Sequence, residues 1–455
     1  LTEIAPGESL RWTIHLGAVD KLEQVKPTLA TWLSVPLPEA RKYTLCSGEA
    51  ASVKIHGTQA VSEAILHHPD GRTESIPATD ANRLVTPPLR KKGLYRITIT
   101  AGGKQSEVSL YVRNPWSWYL TQARNSVAEH PPFFSASCET SYGYYPAFLA
   151  ARHFPDPVRD KALEERFSGL LPQLIDSRGH PQEQANPRRI QNFSTLAGML
   201  VDLWEATGND TYLLNASQLG DFIASDSIQW SDGSYRSEGI HYTAVIYPAK
   251  LRAGWTDRAR RHHVSAIRAA EDLRLRLDDI ETEGDMTFED GMITCSALQM
   301  ALCGLHMPDG ALRRQYAEAA RHMMEKHRCL EQRLIPDCRM RGATLRYWEA
   351  LDIYFSPNQA MNSPHGWTAW KIYAVCYLYL LTGEEHYLDE LMETTGACVQ
   401  LMDLDGRLRW GFIPDPYIEG LVCTPAANNP HERQMRDSVV GEQYLGMISP
   451  WLRPD

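Results

Sequence analysis

The sequence lacks both a long apolar run and an excess of positive charge. No stretch of its 455 residues approaches the roughly 18 consecutive apolar residues that a membrane-spanning helix needs. Its 46 Lys and Arg are outnumbered by 56 Asp and Glu, and the formal net charge is -10. Because nucleic-acid binding depends on basic surfaces that neutralise phosphates, we expect neither a membrane nor a nucleic acid as a partner.

Motifs for metals, nucleotides and disulfides are also missing. The nine cysteines are scattered, odd in number and without a C-x-x-C pair, so they favour neither a zinc ribbon nor a disulfide framework. There is no H-E-x-x-H, no P-loop, no G-x-G-x-x-G after a strand and no G-x-S-x-G. We therefore expect no metal and no cofactor.

The compartment stays open at this stage. The first residues, Leu1-Thr2-Glu3, include no initiator Met, and this favours a periplasmic or secreted protein. Unpaired cysteines are equally compatible with a reducing cytoplasm.

Residues 1–113 have the pattern of a β domain. Short runs at 11–16, 52–56, 94–100 and 106–112 alternate apolar and polar residues, and Gly, Pro and Asn or Asp separate them. Such runs are typical of a β-sandwich. Asn114-Pro115-Trp116 then reads as the linker to a second domain.

Residues 114–455 have a helical pattern, with apolar residues three and four positions apart. Similar helix-loop-helix joints recur near positions 155, 208, 256 and 308, at intervals of about 50 residues. A fifth joint follows near 383, after an insertion between about 329 and 365. Five or six helical hairpins most simply close into an (α/α)6 toroid, with an open helical solenoid as the alternative.

Two of these joints show how one helix ends and the next one begins. In TGNDTYL (207–213) and TGEEHYL (382–388), Gly208 and Gly383 follow the last turn of one helix as left-handed caps. The acidic residues after them suit the positive N-terminus of the next helix.

The first candidate catalytic segment is SCETSYGYY, at 137–145. Glu139 lies among aromatic residues at the head of a predicted helix, with Tyr142 beside it. Aromatic surroundings raise the pKa of a carboxyl group by desolvation, as a general acid requires. A helix-capping Glu with a tyrosine cluster in the core is the alternative.

A second pair of carboxylates, Glu289 and Asp290, precedes the amphipathic run 293–305, in a segment bracketed by Gly284 and Gly291. A base that activates water opposite an acid such as Glu139 is the functional interpretation. Two carboxylates that serve the helix dipole are the alternative.

Two further segments combine aromatic and ionisable groups, as saccharide sites do. His241 and Tyr242 belong to the segment SEGIHY, whereas His365 and Trp367 close the insertion in NSPHGW. We predict that all four bind a sugar. A surface loop and a structural histidine are the respective alternatives.

Arg339 and Arg341 lie just upstream, within DCRMRG. A guanidinium group matches the planar shape of a substrate carboxylate. Two solvated surface arginines are the alternative.

The joints TGNDTYL and TGEEHYL resemble those of the six-hairpin glycosidase superfamily, which includes unsaturated glucuronyl hydrolases. SCETSYGYYPAFLAARHFPD, EGDMTFEDGMITCSALQM and NSPHGWTAWKIY are similar to segments of gut-bacterial exo-β-glucuronidases. Those enzymes have an N-terminal β-sandwich before the toroid and trim terminal glucuronic acid from arabinogalactan-type glycans.

This resemblance implies a glycoside hydrolase whose substrate is a glycan carrying a uronic acid. Glu139, Glu289 and Asp290 would be the acidic set, with inversion at the anomeric carbon, and Arg339 or Arg341 would pair with the sugar carboxylate. Whether the chain associates with itself stays open.

The main alternative is a uronic-acid-specific polysaccharide or disaccharide lyase on the same toroid, in which Tyr and His side chains carry out β-elimination. A β domain placed before the toroid favours the hydrolase. A non-enzymatic glycan-binding protein is a third alternative.

Overall fold

The structure is a computed structural model. It describes residues 6–11, 13–14, 16–80, 82–129, 144–185, 187, 190–235, 256–277, 290–331, 333, 341–343, 368–401 and 404–405. These residues form a mixed α and β protein in which the sheets precede most of the helices. Within these ranges, no helix has the length and apolarity to cross a membrane.

The chain divides into two compact units. The first comprises Leu1–Arg41, Ala51–Pro87 and Arg96–Val108, and the second comprises Lys42–Ala50, Pro88–Tyr95 and Ser109–Asp455. The boundary after residue 113 that the sequence suggests stays a prediction.

The strands form two separate sheets, of four strands in the order β1-β3-β7-β6 and of five in the order β2-β9-β8-β4-β5. The strands are β1 (Leu37–Ala40), β2 (Thr44–Leu45), β3 (Ser52–His56), β4 (Val61–His67), β5 (Thr73–Ser75), β6 (Ala78–Asp80), β7 (Arg83–Val85), β8 (Gly93–Ala101) and β9 (Lys104–Val112).

The hairpin of β8 and β9 shows how the alternation of apolar and polar residues places one face of a strand on the core. Tyr95, Ile97 and Ile99 are buried, while the residues between them are partly exposed, as expected for a strand with one face on a core. Gly102 and Gly103 both have positive φ, +57° and +76°, so they form the two-residue turn that such hairpins favour.

The prediction of a strand at 11–16 is wrong. The described residues of this stretch belong to no strand. Ile14 and Leu16 are 82% and 91% exposed. Alternation alone does not create a strand when no partner strand or apolar surface covers the apolar side chains.

The helices follow mostly after residue 115. They are α1 (Val25–Leu33), α2 (Trp116–Glu129), α3 (Tyr144–His153), α4 (Pro157–Leu174), α5 (Ile190–Thr207), α6 (Asp210–Ile223), α7 (Thr256–Leu275), α8 (Asp290–Leu305), α9 (Ala311–His327), α10 (Thr368–Thr382) and α11 (Glu385–Cys398).

Three helix pairs, α5 with α6, α8 with α9 and α10 with α11, pack as hairpins across short joints. The predicted caps are confirmed, since Gly208 and Gly383 have φ of +72° and +71°. Asn209 then caps α6, because its side-chain oxygen accepts a hydrogen bond from the Thr211 amide at 3.1 Å.

Helices α3 and α5 pack side by side, as do α8 and α10. We call these four the inner helices and α4, α6, α7, α9 and α11 the outer helices; α1 and α2 belong to neither group. Helices α8 and α10 are apolar around most of their circumference, as buried helices are. Helices α7 and α9 instead have a strongly charged face.

Candidate functional site

Most of the predicted site residues lie outside the described part of the chain. Asp290 is the first residue of α8, although its side chain is not described. Arg341 is described together with its contacts. The residues outside the description are Glu139, Tyr142, His241, Tyr242, Glu289, Arg339, His365 and Trp367.

Three of the predicted segments nevertheless lead into inner helices that meet. The segments around Glu139, Glu289 and His365 directly precede α3, α8 and α10. Leu149 of α3 and Tyr373 of α10 share one buried cluster, and Leu298 of α8 packs against it. At 1.5 Å per residue, each helix starts within about 12 Å of this cluster along its axis.

Neighbouring inner helices run in the same direction. Near the start of α3, Tyr145 faces Gly198 of α5, and near its end Arg152 contacts Glu205. Gly304 near the end of α8 likewise faces Leu381 near the end of α10. Together with the contact of Leu298 with the cluster that contains Tyr373, this places the first residues of α8 and α10 at the same end of the two helices.

A buried carboxyl group lies between α3 and α5. Asp202 accepts hydrogen bonds from the Tyr145 hydroxyl and from Arg152 Nη1, the latter at 3.1 Å. Arg152 also pairs with Glu205 at 2.7 Å. Burial raises the pKa of Asp202 to about 7, although Arg152 opposes this shift. A carboxyl group with this pKa exchanges a proton near neutral pH.

The sequence analysis missed Asp202. Its only sequence signal is an acidic residue within the apolar helical run from Leu196 to Leu203. Such a residue is buried only when partners compensate its charge, and here the partners come from α3.

Aromatic hydroxyl groups surround this carboxyl group. Burial raises the pKa of Tyr145 and of Tyr373 well above the ordinary value, so both hydroxyls stay protonated. Tyr377 of α10 is close enough to both to influence their pKa. The resulting group of Asp202, Tyr145, Tyr373 and Tyr377 offers rings and hydroxyls, which are the groups that recognise saccharides.

A second polar centre fixes the turn at residues 341–343. The Lys371 ammonium group is fully buried and contacts Glu331 Oε1 and Glu390 Oε1, each at 3.1 Å. Its third hydrogen bond goes to the carbonyl oxygen of Gly342, at 2.9 Å. All three donors of this buried cation are thus used.

Arg341 lies on this turn. Its Nε is 3.2 Å from Glu393 Oε1. Burial raises the pKa of Glu393, and Arg341 partly offsets the shift. The structure therefore shows a protein carboxylate beside Arg341, while its predicted pairing with a substrate carboxylate stays a prediction.

No group of three or more His, Cys, Asp or Glu in the described ranges is arranged to hold a metal ion. The polar centres of this part of the chain consist of ion pairs and hydrogen bonds.

The comparisons with known proteins rest on structure. No protein-family model and no curated protein matches the sequence. A solved polysaccharide lyase superposes on 89% of this chain with a TM-score of 0.68 and 13% sequence identity. The chain spans 64% of the length of that lyase.

Two glycoside hydrolases were also found. An unsaturated glucuronyl hydrolase variant solved with dGlcA-Glc-Rha-Glc matches 74% of this chain and 95% of its own, with a TM-score of 0.50 and 11% identity. A family 76 glycoside hydrolase from a bovine Bacteroides thetaiotaomicron strain matches 91% and 100%, with a TM-score of 0.47 and 11% identity.

These neighbours are six-hairpin glycosidase-like enzymes with α/α toroid folds. The expected resemblance is therefore confirmed as a likeness of fold. This chain shares its fold with the polysaccharide lyase and with the unsaturated glucuronyl hydrolase.

Proposed function

We propose that this protein is a carbohydrate-active enzyme, built as an N-terminal β-sandwich followed by an (α/α)6 toroid, that acts on glycans carrying a uronic acid. The observation that carries the proposal is the meeting of α3, α8 and α10 in one cluster. The predicted carboxylates lie in or directly before these three helices, as do the predicted sugar-binding residues Tyr142, His365 and Trp367.

The proposed reaction is hydrolysis of a terminal β-linked D-glucuronic acid, as on arabinogalactan-type glycans. One carboxyl group among Glu139, Glu289 and Asp290 protonates the leaving oxygen, and a second activates water. Carboxyl groups about 6.5 to 9.5 Å apart lead to inversion, and groups about 5 to 5.5 Å apart lead to retention. We propose inversion.

His241, Tyr242, His365, Trp367 and Tyr142 would bind the sugar in this scheme. Arg339 or Arg341 would pair with its carboxylate, for which a guanidinium group has the matching planar shape.

A uronic-acid-specific lyase is the second candidate, and one observation favours it. The polysaccharide lyase has the highest TM-score of the three neighbours. Residues 114–455 make up about three-quarters of the chain, so a match over 89% includes part of residues 1–113. A β region before the toroid therefore does not argue against a lyase.

One experiment separates the two reactions. The protein is incubated separately with p-nitrophenyl β-D-glucuronide, with an arabinogalactan oligosaccharide and with an oligosaccharide whose uronic acid carries a sugar on O4. Nitrophenol, free glucuronic acid and the ultraviolet absorbance of unsaturated uronides are followed. Hydrolysis releases nitrophenol or free glucuronic acid and forms no unsaturated uronide. A lyase removes the C5 proton and expels the sugar on O4, which leaves the absorbing C4–C5 double bond, so the third substrate reports it. If none of these products forms on any substrate, the proposed function is contradicted.

A further inference from the structure

Tyr145 has the surroundings of a residue that lines a ligand site. It is the second residue of α3, directly after the predicted segment around Glu139. The residue is half-buried, so it keeps surface that a bound sugar can contact, as residues that line small-molecule sites do.

The structure holds the hydroxyl group of Tyr145 in one orientation. This hydroxyl donates to Asp202, which Arg152 fixes in turn. Gly198 leaves room for the hydroxyl, since a Cβ atom at that position would lie 3.3 Å from Tyr145 Oη. Because the proton points to the carboxylate, the lone pairs of Tyr145 Oη point elsewhere and can accept a hydrogen bond.

We infer that Tyr145 is a saccharide-binding residue whose hydroxyl oxygen accepts a hydrogen bond from a sugar hydroxyl, and that Asp202 is the residue that positions it. The inference rests on the proposed function and adds a residue to its site. The proposed sugar unit is the uronic acid of the substrate, and the neighbouring Tyr377 is also half-buried.

The arrangement makes binding depend on pH. An ionised Asp202 accepts from Tyr145, whereas a protonated Asp202 donates to Tyr145 Oη and competes with the sugar for its lone pairs. Binding therefore strengthens as the pH rises through the pKa of Asp202. The titratable and charged groups around Asp202 in the described part of the chain are Arg152, Tyr145, Glu205, Tyr373 and Tyr377.

The test measures binding of sodium D-glucuronate to the full chain by saturation-transfer-difference NMR, about one pH unit below and above neutrality. Tyr145→Phe should raise the Kd for D-glucuronate about tenfold, read from the ligand dependence of the transfer signal, and should lower kcat/KM about tenfold on whichever uronide the wild type cleaves. Asp202→Asn should keep binding but lose its pH dependence, which a purely structural role would not change.

Tyr316→Phe is the matched control. The Tyr316 hydroxyl donates to Glu271 Oε2 at 3.1 Å between the outer helices α9 and α7, so it forms an equivalent tyrosine–carboxylate pair away from the inner helices. This variant should bind D-glucuronate as the wild type does.

Gly198→Ala is a second, milder variant in case Tyr145→Phe does not fold. A methyl group 3.3 Å from Tyr145 Oη should displace the hydroxyl slightly and weaken binding. Wild-type binding by a folded Tyr145→Phe, or unchanged binding by Gly198→Ala when Tyr145→Phe does not fold, would overturn the inference, as would a retained pH dependence in Asp202→Asn. These outcomes leave the proposed function intact. If the wild type neither binds D-glucuronate nor cleaves a uronide, both fail.

Discussion

At the scale of single residues, buried charges are compensated by groups from distant parts of the chain. Lys371 lies in an apolar helix, yet its ammonium group contacts Glu331, Glu390 and the Gly342 carbonyl oxygen. The pKa of Glu331 is well below its ordinary value, because Lys371, His327 and Arg333 together outweigh the opposing effect of burial. Removal of one charged partner from such a network strongly destabilises a protein, because the remaining charges stay buried without compensation.

Lys371→Met should therefore destabilise the protein by about 3 to 5 kcal/mol, since two buried carboxylates lose one of the two cations that contact them both, the other being Arg333. Urea unfolding followed by circular dichroism measures the change. Lys161→Met is the control, because Lys161 lies 3.9 Å from Glu165 with its side chain 75% exposed. The control should change stability by less than about 0.5 kcal/mol. Equal effects in the two variants would contradict this account of Lys371.

Asp202 should make folding stability depend on pH. Its pKa of about 7 in the folded protein lies above the ordinary 3.8, so between these values the folded state holds a proton that the unfolded state has lost. Stability from this residue is complete below about pH 4 and falls as the pH rises to about 7. Asp202→Asn should remove this fall, on the order of 2 to 4 kcal/mol.

Urea unfolding of wild type and Asp202→Asn across this pH range measures the difference. Parallel pH profiles of the two proteins would show that Asp202 does not titrate in this way.

At the scale of elements, glycine determines where helices end. Gly383 ends α10 with φ of +71°, and a Cβ atom there would meet nothing within 4 Å. The requirement for glycine is therefore one of backbone conformation and not of space. Gly169 is the opposite case, since it lies inside α4, is exposed and also has free space around its missing Cβ.

Gly383→Ala should accordingly destabilise the protein by about 1 kcal/mol, because a left-handed conformation is unfavourable for alanine. Gly169→Ala should stabilise it by about 0.5 to 1 kcal/mol, because alanine is the better helix former. Thermal unfolding of both variants measures the two shifts. The same sign for both would refute the conformational explanation.

At the scale of the whole molecule, the proposed site combines segments from widely separated parts of the chain. Glu139 and Asp290 are 151 positions apart in sequence, but the helices that follow them share one buried cluster. Residues that act together in one reaction step have non-additive effects on its rate.

Glu139→Gln and Asp290→Asn should each reduce kcat by at least about 100-fold without a comparable loss of stability. The double variant should be little slower than the slower single variant. Rate measurements on the same uronide test this prediction. Full activity in both single variants would instead favour a non-enzymatic glycan-binding protein.

Part of this architecture was predictable because it depends on local interactions. The alternation in β8 and the glycines at 208 and 383 identify a strand and two helix ends correctly. The same reasoning failed at residues 11–16, where a strand-like pattern has no covering partner. It also missed Asp202 and Lys371, since each lies within an apolar run of its helix.

The strand β8 and the helix ends at Gly208 and Gly383 could be predicted from the sequence, because side-chain periodicity and glycine at left-handed positions act over a few residues. The burial and compensation of Asp202 and Lys371 follow from the tertiary structure instead. Their partners come from other helices and from turns far along the chain, and the energy of a buried charge depends on which groups surround it in space.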